Sequence, residues 1–284
     1  MDPSLVFAAL DSTGSIISGA SKIIMSRREK KGLSKLIKGL CFLLQGKNQD
    51  AASEFVDISY NFNEWNTNYV MALSLAKACG EDESETGIVS YSKKAISLFE
   101  YLIDHIRDYK TEKEVDLERV RNEKQVELLY WLGRVKKNLL FANQKRGTLT
   151  KDSDGGILLH GRTVFVDEDQ TIRKYQLIRK YRLIHNYQQY IDTIFDTLDE
   201  GRKLAEDNGF IQWKAKIRCQ EALLHAMNNN IEEVLTIQRE LCGVKDKNIK
   251  VVEYVSDEAQ YIYERVRDRY NPDMAKNLIS RSQD

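Results

Sequence analysis

Residues 33–55 read LSKLIKGLCFLLQGKNQDAASEF. From Leu33 to Leu44 the apolar residues recur at intervals of three and four, the period of a helix with one buried face. Gly46 and Asn48 then interrupt the pattern with turn chemistry. Asp50 stands where a cap is expected for a second helix, whose apolar positions are Ala51, Phe55 and Ile58. The stretch predicts two antiparallel helices joined by a tight turn.

The same pattern continues outward from this pair. Asn61 to Asn68 reads as a polar connection containing Trp65, Tyr69 to Cys79 as a third helix stopped at Gly80, and Glu81 to Gly87 as an acidic loop. Ser90 to Tyr109 is expected as a fourth helix with Ala95, Phe99 and Ile103 on one face, and Glu114 to Phe141 as a long fifth. Between Ala142 and Gln170 glycines cluster, and Ile157 to Val166 is β-prone on both sides of His160-Gly161, which predicts a small hairpin or loop inserted between helices. Residues 170–206 return to a helical period. Leu177, Tyr181, Ile184, Gln188, Ile191, Phe195 and Leu198 alternate steps of four and three, a heptad seam that suits either core packing or self-association. Further helices are expected at 210–227, 231–241 and 257–270.

The totals fit this reading. Pro3 and Pro272 are the only prolines, so none falls inside the expected helices. The hydrophobic share of 42% is enough for a core, and 43 basic residues balance 43 acidic ones. That balance gives no overall attraction to nucleic acid or to anionic membrane. The four cysteines, Cys41, Cys79, Cys219 and Cys242, form no CxxC pair, and Cys41 and Cys219 read as buried thiols in a reducing compartment. The expected location is therefore the cytoplasm.

The first 32 residues form a segment of their own. Leu5 to Met25 carries only Asp11 and Lys22 as charges, and a basic run follows it from Arg27 to Lys38. Its many Ser, Gly and Ala residues favour a helix packed on the body or on a second copy over a membrane span, and attachment to a membrane stays open as an alternative. The expected organisation is thus an apolar and basic segment at 1–32, a first helical half at 33–141, an insertion at 142–169 and a second helical half at 170–284.

The helix pairs resemble tetratricopeptide repeats. Gly39, followed three residues later by Phe42, and Ala51, followed four later by Phe55, match that family's small and aromatic positions, twelve residues apart. Lys35 and Lys38 depart from it, standing where the family has Trp and Leu. Partial copies occur at Ala95 and Phe99, at Leu129, Leu132 and Gly133, and from Leu204 to Phe210 with Trp213, Ala222 and Ala226. The resemblance implies an all-α solenoid of stacked helix pairs whose groove holds a protein or peptide. If Gly133 is a repeat glycine, the resemblance turns Tyr130, Arg134, Lys137 and Asn138 towards that groove, where they would meet a peptide's carboxylates and backbone.

No residue pattern points to catalysis. His105, His160, His185 and His225 fall in no HExxH arrangement, and no phosphate-cradling glycine loop or GxSxG elbow occurs. No catalytic residue, cofactor or metal is expected. Arg173, Lys174, Arg179, Lys180 and Arg182 interleave with tyrosines but fall opposite the apolar seam, as a solvated face does, so RNA binding is the weaker alternative. The expected function is a non-enzymatic protein-binding scaffold or adaptor. A membrane-associated regulator anchored by the N-terminal segment is the alternative.

Overall fold

A computed structural model describes residues 27–59, 61–62, 64–81, 85–109, 116–145, 150–151, 157–159, 162–163, 174–228 and 230–243. The helices are α1 (Arg27–Leu44), α2 (Asn48–Val56), α3 (Trp65–Glu81), α4 (Glu85–Asp104), α5 (Leu117–Lys145), α6 (Lys174–Asp207), α7 (Ile211–Met227) and α8 (Ile231–Gly243). A single 3₁₀ turn, Ile106–Asp108, follows α4. The body is helical, as the period of three and four predicts. The N-terminal segment at 5–25 and the helix expected at 257–270 lie outside the described residues.

The insertion carries β1 (Thr150–Lys151), β2 (Ile157–Leu159) and β3 (Arg162–Thr163). The hairpin expected around His160-Gly161 is present, with Leu158 opposite Thr163 and Leu159 opposite Arg162. A third strand, which the sequence reading missed, pairs Thr150 with Leu158 on the other edge.

Two compact units divide the chain, and neither is continuous in sequence. One gathers the residues up to Glu112 with Arg134–Ile194; the other gathers Lys113–Gly133 with the residues from Phe195 onward. The division therefore runs through α5 and α6, not through the glycine-rich insertion where a boundary was expected. Long helices with apolar positions along their whole length serve two cores in turn, so a change of composition does not mark the border. The helix expected from Leu33 starts at Arg27 and takes in the whole basic run.

In the first unit α1 packs on α2, α2 on α3, and α3 on α4. The α1–α2 crossing is close because Gly39 has no side chain. A Cβ there would stand 2.8 Å from both Cδ1 and Cζ of Phe55, and closer still to Cε1. The turn between the two helices holds Gly46 at φ 74°, a conformation that glycine adopts without a Cβ penalty. Asp50 does not cap α2. The cap position falls to Lys47, which makes no side-chain cap bond, and Asp50 sits in the first turn, where its charge still suits the helix dipole.

α3 is the central helix of this unit. From Thr67 to Ala76 every residue is buried, as expected of a helix surrounded by others. The supposed connection at 61–68 turns out to be its fastening. Asn68 is buried, accepts a hydrogen bond from the Phe62 backbone at 3.0 Å and donates one to Glu64 O at 3.2 Å. Trp65 opens the helix, stacks on Tyr69 with centroids 5.1 Å apart and donates from Nε1 to Leu102 O at 3.3 Å. Trp65→Phe keeps the stack and loses that bond, so it should cost about 0.5–1.5 kcal/mol in a urea titration. A wild-type midpoint would mean that the bond contributes nothing. The acidic loop also proves shorter than expected, since α4 starts at Glu85 and includes Gly87.

In the second unit Gly133 and Gly201 receive large neighbours. A Cβ at Gly133 would meet Leu198 Cδ2 at 2.5 Å, and one at Gly201 would stand 3.1 Å from Leu129 Cβ and 3.1 Å from Ile217 Cδ1. Two glycine notches facing two leucines set a short distance between α5 and α6 here. α7 packs on α8, and the turn into α7 holds Gly209 at φ 69°, with Phe210 N bonded to Ala205 O at 2.8 Å.

Candidate functional site

The four residues assigned to a groove on α5 do not share one environment. Arg134 and Asn138 are half-buried, whereas Tyr130 and Lys137 are only 8% and 5% exposed. Tyr130 also lies 5.6 Å from the Trp213 ring. The reason is helical geometry. Tyr130, Gly133 and Lys137 follow one another at three and four residues, so they share one side of α5, and Gly133 marks that side as packed. The glycine that suggested a groove is the close-packing notch itself. Reversing the charge of Lys137 would therefore disturb packing as well as any docking.

The heptad seam is described from Ile191 onward. Ile191 and Leu198 are buried and Phe195 is half-buried, with its ring 4.7 Å from His225. The earlier seam positions, 177–188, lie outside the residues whose side chains are described. Burial holds the His225 imidazole below its ordinary range.

A surface that the sequence reading did not single out lies on α1. Among the described residues the exposed large apolar side chains are Ile37, Leu44, Leu117 and Ile211, and two of these four fall on this one helix. Ile37 is 36% and Leu44 45% exposed, and they stand two turns apart. Cys41, expected to be buried, is exposed between them, and Leu33 is half-buried at the same side. At 100° per residue these four positions span an arc of about 80°. Leu36, Gly39, Leu40 and Leu43 form the separate buried arc. The apolar part of α1 is wider than its packing on α2 requires, which is why its period reads as helix without revealing two faces.

Cations of α1 stand at one end and along one flank of this surface. Lys30 stands at its N-terminal end and is exposed, as is Lys31; neither makes an ion pair among the described residues. Lys38 pairs with Glu54 and Lys35 with Asp57, both on the α2 side. These two lysines occupy the positions that departed from the repeat pattern, and they join the two helices across their edge. Lys31, Gly32, Lys35, Asp57 and Ser59 line a cleft of about 400 Å³.

The second unit has a charged cluster of a different kind. Glu221, on α7, is 6% exposed and pairs with Arg218; Arg202 Nε of α6 approaches its Oε1 at 3.5 Å. Arg218 continues to Glu240 of α8, donating from Nε at 2.9 Å, and Lys214 reaches Glu206 at 3.0 Å. Burial pushes the Glu221 carboxyl above its ordinary range despite the arginines. The cluster ties three helices together. Its members pair with one another.

Among the described residues no group of His, Cys, Asp and Glu is arranged to hold a metal ion. No helix among them is long and apolar enough to cross a membrane. Comparison with protein-family models, with curated proteins and with solved structures finds no match.

Proposed function

We propose that this chain is a non-enzymatic scaffold that binds another protein through the surface of its helix pairs. The observation that carries this reading is the second apolar face of α1. Ile37, Cys41 and Leu44 remain at the surface of a helix whose adjoining face is already buried. Exposed apolar side chains aligned on one helix mark a contact surface more often than single scattered ones do. The tetratricopeptide-like spacing of Gly39, Phe42, Ala51 and Phe55 supports the same reading, since families of that kind use helix pairs to hold peptides.

The test is recovery of tagged full-length chain from its own cells. A protein partner should co-purify in fixed proportion and survive nuclease and detergent treatment. Recovery that depends on RNA, or on intact lipid, would replace the scaffold reading with one of its two alternatives.

A further inference from the structure

We infer that the exposed face of α1 seats an acidic amphipathic helix of a partner protein, with Leu33, Ile37, Cys41 and Leu44 as the apolar contact. This deepens the scaffold reading and rests on it. The shape of the surface comes first. Leu33, Ile37, Cys41 and Leu44 follow steps of four, four and three, which keeps them on one face of the helix. Leu40, fully buried, stands beside them, so this face borders the core. A partner helix laid there would extend the existing packing and make no separate patch.

Charge then selects the partner. α1 contains six basic residues, Arg27, Arg28, Lys30, Lys31, Lys35 and Lys38, against Glu29 alone. The whole chain is balanced, so this excess is local to the helix. Lys35 and Lys38 are neutralised by Asp57 and Glu54, but Lys30 and Lys31 have no such partner among the described residues. On the helix projection Lys30 lies in line with the apolar arc, and Lys31 and Lys38 lie along one flank. Carboxylates flanking the apolar stripe of an incoming helix would meet them, as complementary charges set partner choice beside a coiled-coil seam.

The same charges argue against other occupants. A second copy of α1 would bring its own lysines against these. A membrane surface rewards a broad apolar face, whereas the open arc of α1 spans only about 80°, beside the buried Leu36, Leu40 and Leu43. A narrow seam with cations at its edge fits a helix better than a bilayer.

The experiment uses the full chain and two labelled synthetic peptides of about three heptads, with Leu at the a and d positions. One carries Glu at e and g, the other Lys. The Glu peptide should bind, and the Lys peptide should bind at least about tenfold more weakly. Rising salt should weaken the Glu peptide, and Ile37→Glu with Leu44→Glu should abolish its binding while circular dichroism shows the helical fold intact. Lys30→Glu with Lys31→Glu is the second variant and should reverse the preference between the peptides. Equal binding of both peptides, or Glu-peptide binding unchanged in either double variant, overturns the inference. So does sedimentation with vesicles of phosphatidylcholine and phosphatidylserine in equal parts when neither peptide binds, or a dimer that Ile37→Glu dissociates. A cellular protein partner that the Ile37→Glu/Leu44→Glu chain still retains would leave the scaffold reading standing and remove this surface from it.

Discussion

Replacing Gly39 by leucine is expected to destabilise the folded chain by about 1–3 kcal/mol, the usual range for overpacking a filled core. The position leaves no room. A Cβ would stand 2.8 Å from two atoms of the Phe55 ring, and Phe55 is fully buried, so the ring has no open space to enter. Gly39→Ala is the sharper test, because its sign is informative. In an open helix, alanine would add about 1 kcal/mol of stability over glycine. Here the added methyl makes the same contact with Phe55, so the midpoint of urea unfolding should fall instead. Phe55→Leu removes ring atoms from that spot and should offset part of the loss, giving a coupling of about 0.5–3 kcal/mol in the double-mutant cycle. A Gly39→Leu chain that unfolds at the wild-type midpoint would mean that α1 and α2 do not cross at this glycine.

The elements were legible where the period ran for three turns or more. α5, α6, α7 and α8 lie within a few residues of their expected bounds, and α1 ends where expected, because repeated apolar spacing over that length has few competing explanations. Helix starts were less legible. Asn61 to Asn68 looked like a loop because asparagine is poor in helix interiors. In the structure Asn68 is buried and bonded to the Phe62 and Glu64 backbone, so tertiary fastening overrode propensity. Gly87 resembled a loop residue and sits inside α4, where nothing local to the sequence marks it. The two-unit division was invisible for another reason: α5 and α6 pass through it without a break in pattern.

The surfaces were less legible than the helices. The apolar arc of α1 is visible in the sequence, but which part of it meets α2 depends on the position of Phe55 in space. A helix with a wide apolar arc has two faces only once one partner has been placed. Tyr130 and Lys137 show the same dependence: both are buried on the side of α5 where Gly133 meets Leu198, and the sequence alone does not say whether such a glycine faces a groove or a packed neighbour. Gly201 was not singled out, although its spacing from Leu198 is three residues, as that of Leu129 from Gly133 is four. Paired notches of this sort are recognisable only when both helices are already aligned.

Glu221 should be the most sensitive polar position in the second unit, and its two simplest variants should differ. Glu221→Ala leaves Arg218 and Arg202 short of an acceptor in a buried setting and should cost about 1–3 kcal/mol. The loss is bounded because Arg218 keeps Glu240 and Arg202 keeps Asp199 and Glu206. Glu221→Gln retains an oxygen for Arg218 and removes the charge that burial disfavours, so near neutral pH it should match or exceed the wild-type melting temperature. The pH dependence distinguishes these effects. Burial raises the Glu221 carboxyl above its ordinary 4.5, so the folded chain holds that proton more tightly than the unfolded chain. Its contribution to stability is complete below 4.5 and fades as the pH rises through the folded value. Asp199, bonded to Lys203, and Glu206, bonded to Lys214, are held below their ordinary values of 3.8 and 4.5. Their contribution has the opposite sign, being present above those values and lost as the pH falls. Between 4.5 and neutrality, therefore, the wild type should lose stability relative to Glu221→Gln, and below 3.8 both chains should weaken together. Melting temperatures of the two chains across this range decide the matter. A glutamine variant that is clearly weaker at neutral pH and recovers in acid would show that the fold depends on the ionised carboxylate, with the arginines outweighing its burial.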